Sequence, residues 1–163
     1  MNTFLGILLL AALVGAVYLF QRVVGRGVTA VSGAITGNTR KRGLEAVHLK
    51  TEFIAPVPGN QIVDRIQETL ELGQKSAQGL KLAGVSEDGS GLLIEQGNVL
   101  VSHLQFIVDT EPTDTGCTGF ATTAKWLESD GQITTTENIE RIHKHVRSAV
   151  EHFSGTYSES SNK

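Results

Sequence analysis

The chain of 163 residues is poor in cysteine, and its first part lacks acidic side chains. Cys117 is the single cysteine, which excludes an intrachain disulfide and agrees with a reducing compartment. No Asp or Glu precedes Glu45, and no side chain of either charge lies between Phe4 and Phe20. These absences separate an N-terminal part, first uncharged and then basic, from an acid-rich remainder.

The uncharged run Phe4–Phe20 is long enough to cross most of a bilayer. Its seventeen residues, at about 1.5 Å of helical rise each, fall slightly short of a ~30 Å hydrocarbon core. Val23 and Val24 extend the run if the Arg22 side chain reaches back to the interface. Because a lone segment in lipid has to satisfy its backbone polar groups internally, residues 1–24 are predicted to form a transmembrane helix that anchors the chain.

A cleaved signal peptide is the alternative interpretation of this run. Residues 28–30, with the sequence VTA, loosely match a small-residue cleavage site. However, residues 1–3 contain no Lys or Arg, and Arg22 and Arg26 lie between the apolar run and that site. The run also exceeds the usual signal-peptide core of about 7–15 residues. These features favour an uncleaved anchor.

Basic residues after the run predict its orientation, since Lys and Arg remain preferentially on the cytoplasmic side. Most of them belong to a Gly-rich linker, residues 25–43, which is predicted to be either an interfacial helix or a flexible spacer. We therefore expect a single-pass membrane protein with a cytoplasmic domain. Unless they serve only to fix the topology, five basic side chains are expected to contact the membrane surface: Arg22, Arg26, Arg40, Lys41 and Arg42.

The remainder of the chain is acidic. Residues 44–163 contain nine Lys or Arg and seventeen Asp or Glu, a net charge of −8. Phosphate backbones repel such a surface, so the sequence argues against nucleic-acid binding.

The same part of the chain is predicted to contain one domain and a tail. Residues 44–153 are enough for one compact domain. Residues 154–163, rich in Ser, are predicted to be a disordered tail.

Periodicity predicts an α+β domain with the element order β-α-β-β-β-β-α. Alternating apolar residues predict a strand over residues 47–53, and a helix is expected between a cap at Asn60 and a terminating Gly73. Four sequential antiparallel strands are then predicted over residues 79–85, 92–96, 99–109 and 118–127.

The last helix has the clearest pattern of all. Its apolar residues step by three and four along one face, and they are Ile139, Ile142, Val146, Ala149 and Phe153. Thr134 and Glu137 predict a capping box at its start. Since such a face has to be covered, this long C-terminal helix is expected to lie on the antiparallel sheet, with Trp126 as a core contact.

The residues FIAP at positions 53–56, which lead into the first helix, and the element order resemble the START-like, or polyketide-cyclase, superfamily. The resemblance covers most of residues 46–153. It implies a helix-grip fold, in which the sheet wraps around the C-terminal helix and leaves an apolar cavity for lipids, sterols or polyketides. The chain departs from the family pattern by having fewer strands and no Trp in its first helix, so the resemblance implies no particular ligand residue.

Histidines supply the first candidates for chemistry. His143, His145 and His152 share the last helix, but His145 and His152 are separated by about 10.5 Å of rise, too far to bind one metal ion. A solvated helix flank is the favoured interpretation. His103 lies in an apolar strand, where it is either a general base or an ordinary sheet histidine.

Acidic residues and the cysteine supply the remaining candidates. Asp109, Glu111 and Asp114 cluster near a loop, without the spacing of an EF-hand, and a solvated acidic turn is favoured over a cation site. Cys117 has no neighbouring base that would favour its thiolate, so it is interpreted as a small buried residue. No catalytic constellation, metal site or cofactor site is predicted.

Two functions are therefore compatible with the sequence. The first is a membrane-anchored α+β module that binds a hydrophobic ligand or lipid near the bilayer. The alternative is a non-enzymatic protein-interaction or assembly module at the membrane, in which the acidic surface or a sheet edge receives a protein partner. An enzyme acting on a hydrophobic substrate is a third hypothesis, for which the sequence offers no identifiable catalytic set.

Overall fold

The computed structural model describes residues 37–72, 79–97, 101–130 and 132–161. The chain divides into two compact units, Met1–Thr39 and Arg40–Lys163, and only the second is described almost throughout. No helix among the described residues is long and apolar enough to cross a membrane. The predicted anchor, residues 1–24, lies outside the described residues, so it stays a prediction.

The second unit is α+β, as predicted. Helix α1 includes residues 37–48, and helices α2 and α3 are Gly59–Thr69 and Thr136–His152. The strands, in chain order, are β1 (Leu49–Ala55), β2 (Leu80–Val85), β3 (Gly91–Gly97), β4 (Ser102–Thr113), β5 (Gly116–Trp126), β6 (Glu128–Ser129), β7 (Gln132–Ile133) and β8 (Thr156–Ser161).

Six strands form one antiparallel sheet in the order β2-β3-β4-β5-β1-β8. The four sequential strands β2 to β5 confirm the predicted run of hairpins. The first strand, β1, completes the sheet by pairing with β5 on one side and with β8 on the other. A separate two-stranded hairpin, β6 and β7, connects β5 to α3 and was not predicted.

Side-chain alternation gives the sheet an inner and an outer face. In β1, Thr51, Phe53 and Ala55 are buried, whereas Glu52 and Ile54 are exposed. The buried residues of the strands join those of α2 and α3 in one hydrophobic core, so both helices pack on the inner face. The apolar stripes that carry this packing are Ile62, Val63 and Ile66 of α2 and Ile139, Ile142, Val146, Ala149 and Val150 of α3.

The starts of the first strand and of both helices differ from the predictions. Val47 lies in α1, where it is buried, so β1 begins only at Leu49. Helix α2 begins at Gly59, which places Asn60 inside the helix rather than at its cap. The cap of α3 is Thr135, without a side-chain cap hydrogen bond, so the predicted capping box is wrong. The Thr136 hydroxyl instead donates to the Ile133 carbonyl at 2.7 Å.

The tail prediction and the domain start also need correction. Residues 154–163 were expected to be disordered because they bury almost no apolar surface, yet Thr156–Ser161 forms β8. Antiparallel pairing with β1 over six consecutive residue pairs, with its backbone hydrogen bonds, supplies the order that burial does not. At the other end the compact unit begins at Arg40 rather than at residue 44, and Arg40 and Arg42 form ion pairs with Glu128 and Glu140 of the same unit.

Candidate functional site

The outer face of the sheet carries the most exposed large apolar side chain of the described residues. Ile54 is 59% exposed, at the end of β1 and opposite Thr118 of β5. On the same face Glu52 lies opposite Phe120, and Phe120 lies opposite Asp109 of the next strand. The pairing register therefore brings acidic and apolar side chains together across three strands.

These side chains line an open groove of about 480 Å³, here called the outer groove. It extends across β4, β5 and β1 to the edge strand β8. The residues that line it are Lys50, Glu52, Phe53, Ile54, Asp109, Glu111, Thr118, Gly119, Phe120, Thr156, Tyr157 and Ser158. Its volume lies within the range of about 300–1,000 Å³ found for ligand sites, but it is open to solvent along its length.

The outer groove has an excess of carboxylates. Its lining contains three acidic residues, Glu52, Asp109 and Glu111, and one basic residue, Lys50. The Lys50 Nζ lies 2.7 Å from the Glu52 Oε1 and 5.1 Å from the centre of the Phe120 ring. Among the described residues, Asp109 and Glu111 have no ion-pair partner. The groove therefore favours a ligand that is positively charged and partly apolar.

Side chains of the sheet and of the two helices are fully buried where these layers face each other. Phe106 and Val108 of β4 are completely inaccessible to solvent, as are Ile62 and Ile66 of α2 and Ile142 of α3. A side chain with no surface that water can reach does not border a void large enough to hold a water molecule. The packing at these positions is therefore that of a dense protein interior.

His143 is one of the buried polar residues of this core, which corrects the solvated flank expected from the sequence. It is completely inaccessible, with its Nδ1 2.8 Å from the Thr51 Oγ1 and its ring centre 4.9 Å from that of Phe106. Among described residues its Nε2 has no hydrogen-bond partner. Burial, followed by the charge of Arg147, lowers the pKa of His143 from 6.5 to about 4, so the ring is neutral near pH 7.

The burial of His143 could have been found in the sequence. It comes one residue after Ile142 and three before Val146, on the apolar stripe that predicted the helix. The spacing of the three histidines, which bears only on metal binding, gives no sign of this burial. With no accessible surface, His143 cannot reach a substrate from solvent, so the geometry assigns it to the core rather than to general-base chemistry.

The other candidate residues are dispersed. His103 and His145 are half-buried and His152 is exposed. Burial lowers the pKa of His145.

The cysteine and the acidic cluster are also separate from one another. Cys117 is buried, and desolvation is the main cause that raises the pKa of its thiol. Of the acidic cluster, Asp109 and Glu111 lie in the outer groove, and Asp114 lies in the exposed turn between β4 and β5. The described part of the chain contains no group of His, Cys, Asp and Glu that could hold a metal ion.

Three of the five predicted membrane-surface residues are described, and each has an acidic partner. Arg40 NH2 lies 3.5 Å from the Glu128 Oε1, and Lys41 Nζ lies 3.8 Å from the Glu45 Oε1. Arg42 donates two hydrogen bonds to Glu140 of α3, one of them from Nε at 2.7 Å.

The contact between Arg42 and Glu140 shifts the pKa of both side chains. It raises the pKa of Arg42 and lowers the pKa of the Glu140 carboxyl, because the hydrogen bonds favour both charged forms. Arg40 and Arg42 therefore attach α1 to β6 and α3. Arg22 and Arg26 lie outside the described residues, and membrane contact by all five basic residues stays a prediction.

Comparison with models of known protein families and with characterised proteins gave no match to this sequence. The candidate function consequently depends on the geometry of the outer groove and on the sequence features described above.

Proposed function

We propose that the protein is a non-enzymatic protein-interaction module, tethered to a membrane, whose outer groove receives a basic and partly apolar segment of a partner protein. The observation that carries this proposal is the position of the exposed Ile54 and of Phe120 among three carboxylates, on the sheet face opposite α2 and α3. The tether is the predicted anchor, residues 1–24, and the cytoplasmic location of the domain is part of the same proposal.

Dense packing supports this function over the binding of an enclosed lipid. The START-like resemblance implies an apolar cavity between the sheet and the last helix. In this chain, Phe106 of the sheet and Ile142 and Val146 of α3 have no accessible surface. An enclosed ligand would have to displace these side chains, whereas the outer groove is already open. The relationship to the START-like superfamily stays a prediction.

Charge supports a basic partner. Residues 40–163 contain twelve Lys or Arg and seventeen Asp or Glu, a net charge of −5, and the outer groove has the same sign. Complementary charge accelerates association and selects against acidic competitors. An apolar side chain of the partner would cover Ile54, which is the kind of contact that stabilises protein interfaces.

Site-specific photo-crosslinking tests the proposal in native membranes. The full-length chain would carry a benzophenone amino acid in place of Ile54, and a matched chain would carry it in place of Leu127. Leu127 is also exposed, at 41%, but it lies outside the outer groove.

We expect a discrete protein adduct from the Ile54 position and none from Leu127. Mass spectrometry should place the crosslinked partner residue in a segment that contains Lys or Arg. Adducts formed only with lipid, or protein adducts of equal yield from both positions, would overturn the proposal.

A further inference from the structure

The two edges of the main sheet differ in how well they are protected. Edge strand β2 has a register shift between Leu82 and Gly84 and an exposed Lys81. Bulges and lysines are common devices that prevent another strand from pairing with a sheet edge. Edge strand β8 has no Pro, Lys or Arg, and it pairs with β1 without a register shift.

Small side chains open the outer groove toward the β8 edge. Thr156 lies opposite Ile54, Ser158 lies opposite Glu52, and Thr156 and Ser158 both line the groove. Their short hydroxyl side chains do not screen Ile54 and Glu52 from a chain that approaches the edge. The edge and the groove are therefore continuous.

We propose, on the basis of the function proposed above, that the partner segment binds as an additional strand along the edge of β8, with which no other strand than β1 pairs among the described residues. Its residue opposite Thr156 is apolar and contacts Ile54, and its residue opposite Ser158 is Arg or Lys and contacts Glu52. These two partner residues are two positions apart, so they face the same side of the added strand. Backbone hydrogen bonds to β8 supply affinity, and the outer groove supplies selectivity.

Distances between strands permit this arrangement. Neighbouring strands lie about 4.8 Å apart, so an added strand runs about 10 Å from β1. A long basic side chain can extend across a serine toward a carboxylate on the second strand. A second copy of β8 would not satisfy this requirement, because Thr156–Ser161 has no basic residue and contains Glu159. The chemistry therefore favours a different protein over self-association.

Hydrogen exchange with a defined peptide provides the direct test. The probe is a capped six-residue peptide of threonines with one isoleucine and one arginine two positions apart. Its control has the same composition, with isoleucine and arginine adjacent, so that they face opposite sides. Amide exchange of the full-length chain in detergent micelles would be followed by NMR.

We expect the probe to protect alternate amides of Thr156–Ser161, because only every second residue of a strand directs its N–H toward a given neighbour. The control peptide should protect them less. Protection of no β8 amide, together with signal shifts at Glu52 and Phe120, would overturn strand addition while leaving groove binding intact. Loss of the protein adduct at Ile54 is the separate result that would overturn the proposed function.

Charge exchange tests the assigned contact. Glu52→Lys should lower the affinity for the arginine peptide about tenfold at low salt, and a peptide with glutamate in place of arginine should then bind this variant better than it binds the original chain. Glu87→Lys makes the same charge change at an exposed turn outside the groove, and it should have little effect. Thermal unfolding of both variants would verify that they fold. Equal losses of affinity in the two folded variants would overturn the Glu52 assignment.

Discussion

The inner and outer faces of the sheet are formed by the same strands but have opposite characters. In β1, Thr51 and Phe53 enter the core, whereas Glu52 and Ile54 remain exposed. The inner face is largely apolar, with a few buried polar groups that include Thr51, Thr110, Thr123 and the His143 that contacts Thr51, whereas the outer face combines carboxylates with exposed apolar groups. Because side chains alternate along each strand, the inner face stabilises the fold, and the outer face is available for binding.

Matched phenylalanine truncations should give the largest difference between the faces. Phe106→Ala removes a ring that is completely buried on the inner face, and it should lower the free energy of unfolding by about 3–5 kcal/mol. Phe120 lies on the outer face and is half-buried, so Phe120→Ala should lower the free energy of unfolding by less than about 1 kcal/mol. Urea unfolding of both variants measures this difference. Similar losses would show that the outer groove also serves as a structural core.

Acid should destabilise the inner face through His143. Its pKa is about 4 in the folded protein against 6.5 ordinarily, so the unfolded chain takes up a proton first as the pH falls. The contribution of neutral His143 to the free energy of unfolding is fully present above pH 6.5. It is lost as the pH decreases toward 4, and the total loss is roughly 3 kcal/mol.

The matched variants for this prediction are His143→Leu and His145→Gln. Urea unfolding between pH 7 and 4.5 should show a shallower pH dependence for His143→Leu than for the original chain. His145→Gln should retain most of the dependence, because His145 is only half-buried. An unchanged slope in His143→Leu would contradict the assignment.

Loss of the hydrogen bond between Thr51 and His143 should lower the free energy of unfolding by less than the previous changes. The size of this loss should depend on whether His143 is present. Thr51→Val leaves the His143 Nδ1 buried without its partner and should cost about 1–3 kcal/mol. In the His143→Leu background the same change should cost much less, because both polar groups are then absent. A double-mutant cycle measures this coupling. Additive effects would indicate that the 2.8 Å contact contributes little.

Local periodicity was sufficient to predict the hairpins and the last helix, because the positions of Ile139, Ile142 and Val146 depend on the helix alone. The outer groove could not be predicted in this way. It arises from the register that places Glu52 beside Phe120, and that register joins strands that are distant in the chain. Strand β8 was missed for a related reason: its order depends on backbone pairing with β1, of which a Ser-rich sequence gives no sign.

The smallest predicted effect concerns the start of α1, where Arg40, Lys41 and Arg42 were predicted to contact the membrane surface and where Arg40 and Arg42 form ion pairs with Glu128 and Glu140 of the domain. Arg42→Gln should accelerate amide exchange in residues 44–48, because it removes the two hydrogen bonds to Glu140. Global stability should change little, since exposed ion pairs contribute weakly. Lys41→Gln is the matched control, because its partner Glu45 lies within the same helix. Equal exchange rates in the two variants would contradict this role of Arg42.

Anionic vesicles extend the same measurement to the membrane. If Arg40 and Arg42 exchange their acidic partners for lipid headgroups, added vesicles should accelerate exchange in residues 44–48 of the original chain. The Arg42→Gln variant, in which the main contact is already lost, should respond less. Unchanged exchange in the original chain would instead assign both arginines to the domain. The membrane-surface prediction would then depend on Arg22, at the end of the predicted anchor, and on Arg26, which follows it.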